Sequence, residues 1–450
     1  MYRKYIENLK KWLDDPYRKP LILWGARQVG KSYLLEKIFA KTYFNGKYIY
    51  VDCKKDNEFV DFCETHSDPK DIINYLSLDN NIAINENTLL IFDEAQECLP
   101  IISMLKYFCQ DYRKMPVIVT GSMVRIKLKR ENKSGKKFLF PIGNINELTI
   151  YPLNFEEFLI NVNKNLYDAI VDSYNNKEPL DESIHNMAMN AFYDYLLIGG
   201  MPEALDIFLQ TGSYQKAIET IRELYSNYLS DMLLYQASPE SIVRSKNIFD
   251  NIFSQLNKET KNFSPSLIEA NARNRDMLNP IDWLSLAFLV NKCKLVKENI
   301  TLPLISSNES LFRLYLSDVG MFSYQAGIEA KKFLSNEGRN ALSGIFFENY
   351  VATEIINAGL KLYYWKGKND AEFEFLIEDD GYVIPIDVKK NKGSINSLNK
   401  FRDHNRLKYA VKISSNRYGY NDDNKILTIP FYETFLYLKE IKNKGSLIAS

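Results

Sequence analysis

Residues 25–32 of this 450-residue chain read Gly-Ala-Arg-Gln-Val-Gly-Lys-Ser, which matches the phosphate-binding pattern G-x-x-x-x-G-K-S at every fixed position. The apolar run 20–24 just before this stretch predicts a buried parallel strand. The run 33–39 just after it has apolar residues at helical spacing. Strand, glycine loop and helix in this order form the context that the pattern requires. The stretch therefore predicts a P-loop.

The residue types in this loop suit a nucleoside triphosphate. Glycines allow successive backbone N–H groups to face phosphate oxygens. Lys31 can reach the β- and γ-phosphates, and the Ser32 hydroxyl can ligate Mg²⁺. ATP and Mg²⁺ are thus the expected cofactors. The expected nucleotide-binding residues are Gly25, Ala26, Arg27, Gln28, Val29, Gly30, Lys31, Ser32 and Tyr33.

A second motif, Thr-Leu-Leu-Ile-Phe-Asp-Glu at 88–94, is an apolar strand that ends in two acids. We expect Asp93 to hold Mg²⁺ through its water shell, and Glu94 to orient or deprotonate the water that attacks the γ-phosphate. The run 47–52 predicts a strand between the two motifs. A catalytic acid beside the metal-binding acid, with an inserted strand, is typical of additional-strand ATPases. Signalling GTPases lack that acid, and no N-K-x-D motif for guanine occurs in a fitting position.

The run 115–122 predicts a third strand, which is apolar and ends in Thr-Gly-Ser. In an ATPase core, a polar sensor at this place contacts the γ-phosphate or the attacking water. Thr120 and Ser122 are both candidates for that role. An ordinary strand followed by a turn fits the same residues.

The composition is that of a globular protein, with 46% hydrophobic residues and 57 basic against 57 acidic side chains. Because the net charge is zero, any nucleic-acid contact must be a local patch. Five cysteines without a C-x-x-C pair, with only three histidines, argue against a zinc site and fit a reducing cytoplasm. No apolar run approaches the ~18 residues of a membrane span, and the N-terminus predicts an amphipathic helix. We expect a cytoplasmic protein with no membrane partner.

Seven lysines and arginines lie between positions 125 and 137, in a stretch expected to connect the third strand to the last strand of the core. Three interpretations compete for this stretch. It can be a solvated loop, or it can contact nucleic-acid phosphates. It can also supply a trans-acting arginine, Arg125 or Arg130, that completes the site of a neighbouring subunit.

The chain resembles a widespread prokaryotic family of AAA+-type ATPases. Its members join such a core to a C-terminal domain of unknown function with a restriction-endonuclease-like (PD-(D/E)xK) fold. Short motifs in a specific order carry the resemblance: G-A-R-Q-V-G-K-S at 25–32, I-F-D-E at 91–94, V-T-G-S at 119–122, Y-P-L-N-F-E-E-F at 151–158, G-G-M-P-E-A at 199–204, L-Y-L-S-D-V-G at 314–320, F-E-N-Y-V at 347–351 and I-D-V-K at 386–389. Family members often have Gly-Arg where this chain has Gly143 and Asn144, which weakens the case for trans activation there.

The resemblance implies an α/β protein in four parts. These are a P-loop NTPase core of AAA+ type with a parallel sheet (1–165), a helical lid (166–238), a winged-helix-like middle domain (239–328) and an α/β nuclease-like domain (329–450). In the third part, helical segments before a strand-like 294–296 fit a winged helix. A helix expected at about 264–274 carries Arg273 and Arg275, as a groove-reading helix does. Winged helices bind DNA or protein, and both partners remain open.

In the C-terminal part, a helix that contains Glu348 precedes three predicted strands, an order that resembles the metal-dependent nuclease core. The resemblance implies Glu374 and Asp387 as Mg²⁺ ligands, with Glu348 as a third. Lys389 would position the water or stabilise charge on the phosphate. Glu374 stands where the family pattern has Asp, which displaces the carboxylate by about one methylene. An active nuclease, a nuclease-derived fold that binds DNA or protein, and a structural domain all fit.

Three functions follow from these observations. The first is a Mg²⁺-dependent ATPase whose nucleotide cycle drives or switches the C-terminal domains, with DNA as a candidate partner. The second is an ATP-gated, metal-dependent DNA nuclease. The third is a nucleotide-dependent protein-interaction or regulatory module with little turnover, for which a protein partner or self-association is needed.

Overall fold

The computed structural model describes residues 1–122, 140–236, 238–327, 329–368, 371–389 and 395–447 of the chain. Within these ranges the strands form two sheets, one of five strands and one of eight, and helices surround both. The smaller sheet carries the P-loop, and the larger sheet carries the predicted nuclease-like residues.

The smaller sheet is parallel throughout and has the order β2-β3-β4-β1-β5. Its strands are β1 (Leu21–Trp24), β2 (Tyr48–Asp52), β3 (Leu89–Asp93), β4 (Val117–Thr120) and β5 (Asn146–Thr149). Strands β1, β3 and β4 are buried along their whole length, because helices cover both faces of a parallel sheet. The predicted parallel α/β P-loop core is thereby confirmed.

The strand inserted between the two motif strands is β4, which pairs with β1 on one side and with β3 on the other. The run 47–52, which lies between the motifs in the sequence, forms β2 at the edge of the sheet, beside β3. Each parallel strand is reached by a crossover connection, so order along the chain does not determine order in the sheet. The additional-strand arrangement holds, but a different strand provides it.

Several helical segments accompany this sheet. The chain begins with α1 (Tyr5–Asp14), which buries Tyr5, Leu9 and Trp12 as its apolar spacing predicts. The helix after the P-loop is of π type over Tyr33–Ala40 and continues as α2 (Lys41–Phe44). The remaining helices are α3 (Asn57–Thr65), α4 (Pro69–Asp79) and α5 (Leu99–Asp111).

A block of helices follows β5: α6 (Phe155–Val162), α7 (Lys164–Asn176), α8 (Glu182–Ile198), α9 (Pro202–Thr211) and α10 (Tyr214–Tyr235). Helix α6 begins at a capping box made by Asn154 and Glu157. The turn between α8 and α9 packs tightly, since a Cβ on Gly200 would lie 2.0 Å from the carbonyl oxygen of Leu153. This close approach requires glycine at the turn.

The middle of the chain contains α11 (Pro239–Asp250), α12 (Ile252–Leu256) and α13 (Asn274–Leu286), followed by a hairpin of β6 (Val290–Leu295) and β7 (Phe312–Leu316). The helix expected at 264–274 does not form. That stretch holds one 3₁₀ turn (Pro265–Leu267), and the left-handed φ of 65° at Asn271 interrupts helical winding. Arg273 therefore precedes α13, and Arg275 lies in its first turn.

The larger sheet has the order β12-β13-β11-β10-β9-β8-β6-β7. Its remaining strands are β8 (Tyr363–Lys366), β9 (Glu372–Asp379), β10 (Tyr382–Val388), β11 (Ala410–Ser414), β12 (Gly419–Asn421) and β13 (Ile426–Pro430). Strand β6 pairs in parallel with β8, at Lys294↔Tyr363 and Leu295↔Tyr364. The β6–β7 hairpin, which was expected to belong to a winged helix, thus extends the C-terminal sheet. The expected domain boundary between residues 328 and 329 would therefore separate two strands from the rest of their sheet.

Helices α14 (Val319–Gln325), α15 (Ala330–Leu334), α16 (Asn336–Ala341), α17 (Ile345–Asn357), α18 (Ile395–His404) and α19 (Thr434–Leu447) complete the described fold. One continuous apolar cluster extends from α1 through the helical block to α17 and α19, so the two sheets share a core. All five cysteines are buried, and none of them forms a disulfide. Among helices within the described ranges, none combines the length and the apolar character needed to cross a bilayer.

Candidate functional site

The P-loop lies at the carboxyl end of β1, in a conformation that its glycines make possible. Gly25 and Gly30 have φ of 150° and 85°. A Cβ on Gly25 would lie 2.3 Å from the carbonyl oxygen of Ile150, so the loop begins in close contact with the chain after β5. Ala26 and Val29 are buried and contribute their backbone to the loop. Gln28 also has a positive φ, of 61°.

Lys31 is buried, and its ammonium group is folded back onto the loop. Its Nζ donates to the carbonyl oxygens of Gly25, at 3.0 Å, and Ala26, at 2.8 Å. Burial lowers the pKa of Lys31, while the carboxylates of Glu94 and Asp93 act in the opposite direction. The lysine is therefore near Asp93 and Glu94, the predicted metal-binding and catalytic acids, and within the described residues its hydrogen bonds go to two carbonyl groups that a phosphate can replace.

Asp93 accepts hydrogen bonds from four groups. Ser32 Oγ and the Tyr50 hydroxyl each donate to Oδ2 at 2.5 Å, while the Thr120 hydroxyl and the backbone N–H of Glu94 donate to Oδ1, the latter at 2.9 Å. Burial alone would raise the pKa of Asp93, but these donors outweigh it and hold the pKa below its ordinary value. The carboxylate is thus kept ionised beside the Ser32 hydroxyl.

The oxygens of Ser32 and Asp93 are suited to Mg²⁺, which prefers oxygen ligands and keeps several waters. The structure brings together the two residues that the sequence predicted for this ion, although they lie 61 positions apart. Tyr50 was missed by the sequence reasoning. Its signal is a polar residue on the strand that pairs with β3, where Tyr50 is opposite Ile91 and Asp52 is opposite Asp93.

Glu94 has a left-handed backbone with φ of 50°, and it immediately follows β3. Such a conformation is uncommon for a non-glycine residue and occurs preferentially at functional sites. The side-chain amide of Gln96 donates to the Glu94 carboxylate. Glu94 lines the same cleft as Lys31 and Ser32, which is where a base for the attacking water is needed.

The two candidate sensors are placed differently. Thr120 ends β4, is fully buried and donates to Asp93, so its hydroxyl positions the acid that the sequence predicts to bind the metal. Ser122 is also buried, but its Oγ has no hydrogen-bond partner within the described residues. Arg125 and Arg130, the candidates for a trans-acting arginine, lie outside the described residues.

A cleft of about 440 Å³ opens in front of the P-loop. Its walls include the predicted residues Arg27, Gln28, Gly30, Lys31, Ser32, Tyr33 and Glu94. Further walls come from Met1 and from Pro202, Glu203 and Asp206 of α9. The α9 residues were not predicted as site residues, although the G-G-M-P-E-A motif at 199–204 includes Pro202 and Glu203.

Arg3 supports the P-loop from behind. Its guanidinium donates to the carbonyl oxygens of Val29 and Tyr151, both at 2.7 Å, and pairs with the Glu157 carboxylate at 2.9 Å. Arg3 and Glu157 are both buried, so the ion pair is desolvated and depends on this complete set of hydrogen bonds. Sequence reasoning missed Arg3, because nothing in its neighbourhood distinguishes it from surface arginines.

Arg27 connects the P-loop to α10. Its guanidinium forms an ion pair with Asp231, a side chain that is only 2% exposed, while the Tyr228 hydroxyl donates to the Arg27 carbonyl oxygen at 2.7 Å. The other oxygen of Asp231, Oδ2, is buried and has no partner among the described residues. Burial raises the pKa of Asp231, and Arg27 opposes this shift. A residue predicted to bind nucleotide is therefore connected to the longest helix of the helical block.

The carboxylates predicted for the C-terminal site, Glu348, Glu374 and Asp387, also lie near one another. They form ion pairs with two lysines. Lys389 Nζ lies 2.8 Å from Glu374 Oε1 and 3.2 Å from Asp387 Oδ1. Lys261 Nζ lies 2.5 Å from Glu348 Oε1 and 3.8 Å from Glu374 Oε1. Burial opposes ionisation of Glu374, but Lys389 and Lys261 lower its pKa. Burial and the neighbouring Glu374 raise the pKa of Asp387 to about 7.

These carboxylates do not fit a metal ion in this arrangement. Glu374 Oε1 faces two ammonium groups, and its Oε2 accepts from the backbone N–H of Val388 at 3.1 Å. Within the part of the chain that the structure describes, no three His, Cys, Asp or Glu side chains form a group that could hold a metal. The ligand set implied by the nuclease resemblance is thus assembled as ion pairs.

Comparisons with known proteins agree with the N-terminal site. Residues 17–159 match the family model of an AAA domain. Residues 189–332 and 343–432 match the models of two domains of unknown function, DUF8612 and DUF4143. A comparison with curated proteins finds no significant match. The chain therefore contains an AAA-type P-loop ATPase domain, while the models matched by its other parts specify no activity.

Solved structures give more distant similarities. A Walker-type ATPase of Pyrococcus abyssi aligns with 15% identity and a TM-score of 0.43, over 72% of this chain and 95% of that one. The ORC1 protein of Aeropyrum pernix in complex with DNA aligns with 13% identity and a TM-score of 0.26, over 72% and 91%. AMPPCP-bound DnaA from Aquifex aeolicus aligns with 11% identity and a TM-score of 0.23, over 62% and 83%. The assignment of the core depends on its own strand order and on the AAA-domain match.

Proposed function

We propose that the protein is a Mg²⁺-dependent ATPase that uses its nucleotide cycle to switch the arrangement of its C-terminal part. The observation that carries this proposal is the Asp93 cluster. A P-loop serine, a strand-end aspartate and the acid after it converge beside a buried lysine, in the order of elements that ATP hydrolysis requires. The AAA-domain match over 17–159 supports ATP as the nucleotide.

Each residue then has a definite task. Lys31 exchanges its two carbonyl partners for the β- and γ-phosphate oxygens. Ser32 and Asp93 hold Mg²⁺, which would neutralise charge developing on the phosphates. Glu94 orients and deprotonates the attacking water. Thr120 and Tyr50 keep the Asp93 carboxylate ionised and correctly turned, since both donate to it.

The switching part of the proposal is supported by the link from Arg27 to Asp231. A triphosphate in the cleft places negative charge next to Arg27, which then has two competing acceptors, the phosphate and the Asp231 carboxylate. If Arg27 moves towards phosphate, α10 loses its ion pair with the loop and keeps only the hydrogen bond from Tyr228 to the Arg27 carbonyl oxygen among the contacts described above. Helix α10 also contacts the middle part of the chain, because the Tyr225 hydroxyl on α10 donates to Asp250 of α11 at 2.7 Å.

A direct test is ATP binding and phosphate release in the wild type and in Lys31→Ala. The proposal expects Mg²⁺-dependent release in the wild type and loss of both properties in the variant. A wild type that binds no ATP, or a variant that binds and hydrolyses it normally, contradicts the proposal. The same assay with and without duplex DNA decides whether DNA is a partner. Stimulation that disappears in Lys31→Ala would make the enzyme DNA-coupled, whereas unstimulated turnover would favour a protein partner.

A further inference from the structure

Lys261 inserts its ammonium group among three carboxylates of the larger sheet and α17. Its Nζ lies 2.5 Å from Glu348, 3.8 Å from Glu374 and 3.9 Å from Glu372. Its side chain is only 19% exposed, and the side chains of Glu348 and Glu374 are 5% and 3% exposed. One cation thus faces three acids in a nearly dry site, where Coulomb attraction is strong.

The two residues that follow Lys261 are attached to the larger sheet. The next residue, Asn262, accepts a hydrogen bond from the Tyr364 hydroxyl at 2.7 Å. The backbone N–H of Phe263 donates to the Phe312 carbonyl oxygen at 2.8 Å, and the two rings stack with centroids 5.4 Å apart. Strands β7 and β8 therefore hold the segment that presents the lysine.

The charges around the site nearly balance. Lys389 pairs with Glu374 and Asp387, Arg313 pairs with Glu372 at 2.7 Å, and Lys261 pairs with Glu348. Four carboxylates thus meet three side-chain cations. Glu348 Oε2, the second oxygen of this carboxylate, is buried and has no hydrogen-bond partner within the described residues.

We propose that Lys261 occupies the place of a metal ion in the nuclease-like site and thereby excludes divalent cations from it. In this proposal the ion pairs of Lys261 with Glu348 and Glu374 attach the segment after α12 to α17 and the C-terminal sheet. Removing the ammonium group would free the carboxylates of Glu348 and Glu374, with Asp387 joined to Glu374 through Lys389. Carboxylate oxygens are hard ligands that suit Mg²⁺ or Mn²⁺. The proposal does not depend on the ATPase function, because it concerns the protein without nucleotide.

The test counts bound Mn²⁺ in the full chain without nucleotide, from the loss of the electron paramagnetic resonance signal of free Mn²⁺. Asp387→Asn identifies this site and separates it from the P-loop. The wild type and Asp387→Asn are expected to bind the same number of ions. Lys261→Ala is expected to bind one more, and Lys261→Ala with Asp387→Asn is expected to return to the wild-type number.

Two further variants serve as controls. Lys261→Arg keeps the cation and should gain no ion, and Lys258→Ala removes an exposed neighbouring lysine and should also gain none. If Lys261→Ala is unstable, Mn²⁺ should raise its Tm by more than it raises that of the wild type, and adding Asp387→Asn should remove this excess. A wild type that binds one more Mn²⁺ than Asp387→Asn overturns the proposal. So does a folded Lys261→Ala that gains no ion.

Discussion

Arg27 in the P-loop and Asp231 on α10 form an ion pair across 204 positions of the sequence. Asp231 is almost completely buried, and its second oxygen has no partner among the described residues, so the pair is held by one strong contact. Arg27 also lines the cleft in front of the loop. Arg27, which is predicted to bind the nucleotide, therefore has a carboxylate acceptor on α10, outside the P-loop.

The first prediction concerns this pair. Asp231→Asn keeps the side-chain size and removes the charge that competes for Arg27. If the two acceptors compete, ATP should bind roughly tenfold more tightly, which corresponds to about 1.4 kcal/mol. Titration calorimetry with a non-hydrolysable ATP analogue measures this. Glu223→Gln, on an exposed position of the same helix, should leave the affinity unchanged. Equal or weaker binding by Asp231→Asn would rule out the competition.

The second prediction concerns Tyr50. Tyr50→Phe removes one of the donors to Asp93 and should weaken Mg²⁺ activation of ATP hydrolysis about fivefold, since a typical hydrogen bond contributes about 1 kcal/mol. The measurement is phosphate release against Mg²⁺ concentration at saturating ATP. Tyr48→Phe on the same strand is the matched control and should behave as the wild type. A Tyr50→Phe curve that superimposes on the wild-type curve would remove Tyr50 from the site.

The third prediction concerns the Arg3–Glu157 pair behind the P-loop. Arg3→Met leaves the Glu157 carboxylate buried and unpaired, and should lower the free energy of unfolding by about 3–5 kcal/mol. Urea unfolding measures this loss. Adding Glu157→Gln should recover part of the stability, because the unpaired charge is then absent. A double variant less stable than Arg3→Met would mean that the charge is not the cause.

The fourth prediction concerns pH. Glu354 on α17 is fully buried and accepts from the Phe155 N–H at 2.9 Å and from Asn154 Nδ2 at 3.1 Å. Burial raises its pKa to about 7, against about 4.5 in an unfolded chain, so the native state binds the extra proton between these pH values. The stability that this proton contributes is complete below pH 4.5 and is lost as the pH rises through 7.

Glu354→Gln should remove this dependence. The difference in unfolding free energy between wild type and variant should change by up to about 3 kcal/mol between pH 4.5 and pH 8, with the wild type favoured at the lower pH. Urea unfolding at the two pH values measures it, and Glu337→Gln on an exposed position is the control. A difference that stays constant with pH would show that Glu354 titrates normally.

The sequence predicted those parts of the site that depend on local spacing. Lys31 and Ser32 follow from the loop pattern, Asp93 and Glu94 from the end of an apolar strand, and the parallel sheet from the order of apolar runs. These features are local because a strand, a tight loop and the start of a helix are specified by neighbouring residues.

The residues that the sequence did not reveal act over long separations. Arg3 meets Glu157 across 154 positions, and Lys261 meets Glu348 across 87. Neither residue has a local pattern, since a single basic side chain is ordinarily a surface group. The β6–β7 hairpin was assigned to a winged helix for a similar reason. The pairing of β6 with β8 is decided by the sheet as a whole, while the sequence shows only helices followed by two strands.

The proposed role of Glu94 is to activate water at an Mg²⁺–ATP site formed by Lys31, Ser32 and Asp93. Single-turnover hydrolysis of ATP by Glu94→Gln, with ATP binding measured in parallel, examines this role. We expect the variant to bind ATP and Mg²⁺ as the wild type does and its hydrolysis rate to fall by about 10²–10⁴-fold. Hydrolysis at the wild-type rate by Glu94→Gln would show that Glu94 is not the base.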